Sequence, residues 1–110
     1  MSKRAVPGQR VASVKAKILV VDDKPDALDL VSCNLTRGGF QVVTAGDGAD
    51  ALRKARSASP DMILLDLMLP ELDGLEVCKL LRRDPQTSAI PIVMLTARAT
   101  ALQTTIYFQP

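Results

Sequence analysis

The sequence predicts an α/β domain of three layers, built on a parallel sheet of four strands with three helices. Three observations carry that expectation. Short apolar runs, Ile18–Val21, Met62–Leu65 and Ile92–Leu95, recur along the chain and read as strands buried on both faces of a parallel sheet. Segments with helical spacing and short loops separate them, and strict alternation of this kind implies right-handed crossovers. The length, 110 residues, leaves room for one core and no second domain.

The elements follow in order. Lys17–Val21 is the first strand. Pro25 sits where a helix tolerates proline, in its first turn, and Asp26 and Asp29 are favourable near the positive end of that helix. Leu28, Val31 and Leu35 keep one helical face, and Gly38-Gly39 stops it. Phe40–Thr44 is the second strand. Gly46-Asp47-Gly48 is a turn leading into a helix over Ala49–Ser57, whose Ala51, Leu52 and Ala55 allow close packing on a sheet. Asp61–Leu65 is the third strand. Asp73 caps a third helix that runs to Arg83, with Leu75, Cys78 and Leu81 directed inward. Asp84-Pro85-Gln86-Thr87 is a turn, and Ile92–Leu95 is the fourth strand, ending at Thr96-Ala97.

Composition narrows the function. Hydrophobic residues make up 47% and charged residues 24%, ordinary values for a globular chain, and a small cytoplasmic domain is expected. With two cysteines, Cys33 and Cys78, both in helical patterns, two reduced core thiols are expected rather than a bridge. The absence of histidine and of paired-cysteine spacing argues against zinc. The apolar runs are too short to span a bilayer, and no signal-peptide pattern opens the chain. The net charge of +2 is uneven. Residues 1–17 carry Lys3, Arg4, Arg10, Lys15 and Lys17 with no acid, leaving 9 of the 14 basic side chains against all 12 acidic ones, a body of −3. A solvated basic leader over 1–16 is the expectation, because scattered charges without aromatics make a poor nucleic-acid patch.

Chemistry concentrates at three aspartates. Asp22-Asp23 ends the first apolar run, and Asp66 ends the third strand's run 43 positions later. Open parallel sheets bring the carboxyl ends of neighbouring strands into one crevice, where ligands bind. Asp22, Asp23 and Asp66 are therefore expected in one acidic pocket. Like charges at close range disfavour ionisation unless a cation sits among them, and all-oxygen donors suit Mg²⁺. Taken singly, each of these aspartates reads as well as a turn cap, Thr96 as a β-branched residue leaving a strand, and Asp26 as a helix-end charge.

The segments ILVVDDKPD, MILLDLMLPELDG and IPIVMLTARA, in that order and with Thr96 falling 30 residues after Asp66, resemble the receiver domain of bacterial two-component response regulators. The resemblance runs from about Lys17 to Arg98 and is nearest to regulators that carry a DNA-binding output domain. It implies a flavodoxin-like fold and assigns roles. Asp66 would accept a phosphoryl group from a histidine kinase or phosphotransfer protein. Asp22, Asp23, Asp66 and the backbone carbonyl of Met68 would hold Mg²⁺, and Thr96 would be the switch hydroxyl. Leu69-Pro70 and Gly74 would shape the loop that follows the phosphoacceptor.

After Arg98 the pattern departs from the family. Receivers continue with a helix, a fifth strand ending in lysine and a last helix. Here the tail 99–110 reads ATALQTTIYFQP, and no lysine follows Lys79. A partial receiver over 17–98 is the expectation, with the fourth strand as an exposed edge and the sheet face beside the first helix left open. Thr104–Phe108 is β-prone, and eight residues after Leu95 are too few for a parallel crossover. An antiparallel hairpin, a free tail, or pairing with a second chain through the exposed edge remain as choices.

Two functions follow. One is a phospho-accepting, non-enzymatic signalling domain using Mg²⁺. The other is a non-switching remnant or interaction fragment that keeps the acidic pocket. An aspartate-nucleophile phosphatase fits less well, since such enzymes usually place a second aspartate two residues after the nucleophile, and Met68 stands there. Neither membrane insertion nor direct nucleic-acid binding by this domain is expected.

Overall fold

The computed structural model describes residues 15–66, 69, 74–96 and 105–109. The chain runs β1 (Lys17–Val21), α1 (Pro25–Arg37), β2 (Gln41–Ala45), α2 (Gly48–Ala58), β3 (Met62–Asp66), α3 (Gly74–Arg83), β4 (Ile92–Thr96) and β5 (Thr105–Gln109). The sheet is ordered β2-β1-β3-β4-β5. Its first four strands are parallel, and β5 runs antiparallel to β4. The four parallel strands and three helices are those the sequence predicts, with each strand's ends displaced by no more than one residue.

Local chemistry sets the element ends. Pro25 stands in the first turn of α1, where its missing N–H costs nothing because the first helical amides have no intrahelical acceptor. At the other end the Gly38 amide donates to the carbonyls of Asn34 and Leu35, and Gly39 adopts φ +94°, open to glycine at no steric cost. Helix α2 begins at a cap inside the Gly46-Asp47-Gly48 turn: the Asp47 carboxylate accepts from the Asp50 amide at 2.8 Å. Between α3 and β4, the Thr87 amide closes the turn on the Asp84 carbonyl at 3.0 Å. The buried Thr87 hydroxyl donates to the Leu81 carbonyl at 2.7 Å. The Arg82 guanidinium spans the same loop, donating to the carbonyls of Ser88 and Ile90 at 2.9 and 2.8 Å. The predicted cap at Asp73 lies outside the described residues.

The core occupies one face of the sheet. Leu19 and Val21 of β1, Ile63 and Leu65 of β3, and Ile92 and Met94 of β4 alternate onto the face that carries α2 and α3. There they pack with Ala51, Ala55, Val77, Cys78 and Leu81. The small residues of α2 perform the close approach expected of them.

The opposite face, which carries α1, is thinner. Helix α1 lies over β1 and β2. Ile18 and Val20 are buried, but no residue of α1 is, and Leu30 is 65% exposed. Burial along β3 alternates, with Met62 and Leu64 half-buried. The expectation that β3 would be buried on both faces is therefore corrected, because among the described residues no helix covers the α1 side of β3 and β4. Among the described residues, the sheet face beside the first helix is left open.

Three further expectations change. Leu75, expected to face inward, is exposed, and Val77 is the residue buried beside Cys78 and Leu81. Cys33 is exposed while Cys78 is buried, so only one of the two free thiols belongs to the core. The reason is helical geometry: two residues along from Val31 turns Cys33 about 200° away from the face that Val31 and Leu35 share. The β4 edge is also not left bare. Of the three choices the sequence left for the tail, the hairpin is the one formed, with Thr96 opposite Thr105 and Ile92 opposite Gln109. Eight residues suffice to turn the chain back on itself, and the open edge passes from β4 to β5.

Candidate functional site

Register builds the site. Strands β1 and β3 are neighbours with Val21 opposite Leu65. The carboxylates that follow those two residues, Asp22 and Asp66, therefore leave the sheet at the same edge. Asp66 is itself the last residue of β3 and stands opposite Leu95 of β4. The Asp22 amide donates to the Ala45 carbonyl at 3.1 Å, which ties the end of β1 to that of β2. Asp23 comes one residue later, before α1 begins.

All three predicted aspartates meet. Asp22, Asp23 and Asp66 each offer a carboxylate oxygen, and these atoms lie within 4.8 Å of one another. Asp22 and Asp66 are half-buried and Asp23 is exposed. Thr96 ends β4 one position beyond the residue opposite Asp66, so its backbone sits at the same edge. Met68 lies outside the described residues. Leu69 is buried in the core, and Gly74 is the buried first residue of α3.

Burial and neighbouring charge both act on the Asp22 carboxyl. Partial burial is the main cause pushing its carboxyl above the ordinary carboxylate value, and the charges of Asp66 and Asp23 add to it. The backbone N–H of Lys24, which donates to Asp22 Oδ1 at 3.0 Å, and the Lys24 ammonium hold it partly down. The donor set is all oxygen, carries up to three negative charges, and faces solvent on one side. That set fits a hard divalent cation which keeps several waters, as Mg²⁺ does.

The sign of the Asp22 shift gives a testable consequence. A carboxyl whose folded pKa lies above its unfolded value of 3.8 binds a proton more tightly in the folded protein. At neutral pH the ionised group therefore costs stability, and that cost is relieved as pH falls through the folded pKa toward 3.8. In chelator, Asp22→Asn is expected to melt above the wild type at neutral pH, because the amide oxygen can still accept from the Lys24 N–H without the charge. The gap should narrow as pH falls toward 4, which thermal melts at several pH values would follow. A gap that widens on acidification would contradict this reading.

Lys24 is a site residue that the sequence pattern alone does not single out. Its ammonium lies 3.6 Å from Asp23 Oδ1. The available signal was its place, directly after the acidic pair and at the start of a helix.

Comparison with known proteins agrees with the geometry. The profile of the response regulator receiver domain matches residues 18–109. The alkaline phosphatase synthesis transcriptional regulatory protein PhoP of Bacillus subtilis is 55% identical over 82 residues, covering 74% of this chain and 33% of that protein. The chain thus spans about a third of the length of the curated relatives it matches. Among solved structures, the chemotaxis response regulator CheY4 of Vibrio cholerae superposes with a TM-score of 0.74 at 39% identity, over 79% of this chain and 72% of that one. The response regulator protein TrrA of Thermotoga maritima, in complex with Mg²⁺-BeF, gives 0.70 at 36% identity, over 76% and 71% of the two chains.

Proposed function

The chain belongs to the response regulator receiver family, and we propose that Asp66 is its phosphoacceptor. In this reading Asp22, Asp23, Asp66 and the backbone carbonyl of Met68 hold Mg²⁺, and Thr96 is the switch hydroxyl. Receiver domains are generally phosphorylated on an aspartate with Mg²⁺ and act as signal transducers. The observation that supports the assignment here is the convergence of three carboxylates at the carboxyl edge of β1 and β3.

The chain's own residues supply the acceptor. A carboxylate oxygen of Asp66 forms a bond to phosphorus as the phosphorus–nitrogen bond of a phosphohistidine donor breaks, and the imidazole leaves with the electron pair of that bond. Asp66 ends a strand paired on both sides, so its position is set by the sheet rather than by a loop. Mg²⁺, when bound, neutralises charge that builds on the transferring group. The product adds about −1.5 to −2 charges to an already acidic edge, which the metal and a hydroxyl donor such as Thr96 would offset.

The domain organisation that goes with this reading is a basic leader over 1–16, a receiver over 17–98 and a tail over 99–110. The phosphodonor is a histidine kinase or a phosphotransfer protein, and the compartment is the cytoplasm. Among the described residues no helix is long and apolar enough to cross a membrane. Self-association is assigned to the sheet edge, now that of β5, and no nucleic-acid contact is assigned to this domain.

Incubation with a small-molecule phosphodonor and Mg²⁺ should add one phosphoryl mass to the wild type. Asp66→Ala or excess chelator should abolish it. An adduct of equal yield in Asp66→Ala would overturn the assignment.

A second reading, acceptance without a strong switch, is favoured by the hairpin. β4 is followed within eight residues by β5, which packs chiefly on β4, so little of the described fold next to Thr96 could take a second arrangement. Under this reading, backbone amide shifts on phosphorylation stay near the acidic edge. Shifts spread across the domain would exclude it.

A further inference from the structure

Lys24 is a poor choice for its place in the fold. It is the N-cap of α1, in extended backbone (φ −99°, ψ 116°), and its side chain caps no amide. Serine, threonine, aspartate and asparagine are favoured there because their side-chain oxygens accept from the first helical amides, and lysine has no acceptor to offer. A positive charge also opposes the positive end of the helix. Residues that break a local rule tend to be explained by the site they serve.

The ammonium goes to that site. Lys24 Nζ lies 3.6 Å from Asp23 Oδ1, while the Lys24 backbone N–H holds Asp22 Oδ1 at 3.0 Å. One residue thus contacts two of the three carboxylates that converge with Asp66. The Lys24 side chain is 67% exposed, so it can leave Asp23 without disturbing the packing. A divalent cation entering among the carboxylates would draw on the same Asp23 carboxylate that the Lys24 ammonium faces.

We propose that Lys24 is a tethered counter-ion which occupies Asp23 in the metal-free protein and competes with Mg²⁺ for it, so that this residue sets the metal affinity of the site. The inference rests on the Mg²⁺ reading of the acidic edge. It concerns a positioning residue, since Lys24 acts through Asp23 rather than on the phosphoryl group.

The test is Mg²⁺ titration of the whole chain, followed by backbone amide shifts at residues 22, 23 and 66, without any phosphodonor. Lys24→Gln keeps the length of the side chain and removes its charge. It should bind Mg²⁺ about two- to five-fold more tightly than the wild type, the range that an exposed ion pair supports. Lys24→Arg should stay close to the wild type. Arg37→Gln removes a charge at the far end of α1, about 20 Å away at 1.5 Å per residue, and should leave the affinity unchanged. Unchanged or weaker binding in Lys24→Gln would overturn the proposal. A gain in Arg37→Gln as large as that in Lys24→Gln would also overturn it, by showing a general charge effect. If no variant, the wild type included, binds Mg²⁺ at millimolar concentrations, the metal reading fails. In that case the proposal falls with it, whereas binding that is unchanged in Lys24→Gln overturns the proposal alone.

Discussion

Leu19→Ala is expected to cost about 2–5 kcal/mol, the range for truncating a buried leucine whose surroundings relax only partly. Leu19 is wholly buried, sits in β1 between β2 and β3, and belongs to the cluster that joins β1, β3 and β4 to α2 and α3. Against a typical stability of about 5–15 kcal/mol, that loss would leave a large unfolded fraction at modest temperature. The thin face should behave differently. Leu64 lies one position from Leu65 on the α1 side and is half-buried, so Leu64→Ala should cost about 1 kcal/mol, less than full burial of a leucine is worth. Chemical denaturation of both variants measures the contrast. Equal costs would show that the α1 face is as well packed as the α2–α3 face, contrary to the burial pattern.

Asp23→Asn is expected to weaken Mg²⁺ binding about tenfold or more, equivalent to about 1.4 kcal/mol. The variant keeps a carbonyl oxygen at the position but removes a full negative charge from a set of three. Its amide also lacks the attraction that draws the Lys24 ammonium, so the competing counter-ion is lost along with the ligand charge. The two effects oppose each other, and the ligand charge is the larger because a divalent ion feels it at contact distance. Calorimetric titration beside the wild type measures the difference. Equal affinities would remove Asp23 from the site.

Much of this arrangement could be read before any coordinates. Each apolar run of a parallel strand ends at the same edge of the sheet, so the spacing of Asp22, Asp23 and Asp66 already placed them together. The helix stops at Gly38-Gly39 and the turn at Asp84-Pro85 were legible because glycine and proline act locally. What escaped depends on partners distant in sequence or on details within a turn. The cap at Asp47 lay between two glycines that by themselves suggested only a turn. The periodicity of Leu28, Val31 and Leu35 marked the inner face of α1, but the depth of burial depends on what lies across from it, and little does. The direction of β5 was limited by connection length yet not decided by it. Lys24 went unread because lysine beside acids is common on surfaces; its meaning depends on its place at the helix start.

The central claim is that Asp66, among the clustered carboxylates, takes the phosphoryl group. An aspartyl phosphate is an acyl phosphate, and borohydride reduces it to the alcohol, leaving homoserine in place of the aspartate. Protein treated with phosphodonor and Mg²⁺, reduced, digested and mapped by mass spectrometry should carry homoserine at position 66 and nowhere else. Homoserine at 22 or 23, or a phosphoryl adduct that yields no homoserine at 66, would contradict the account.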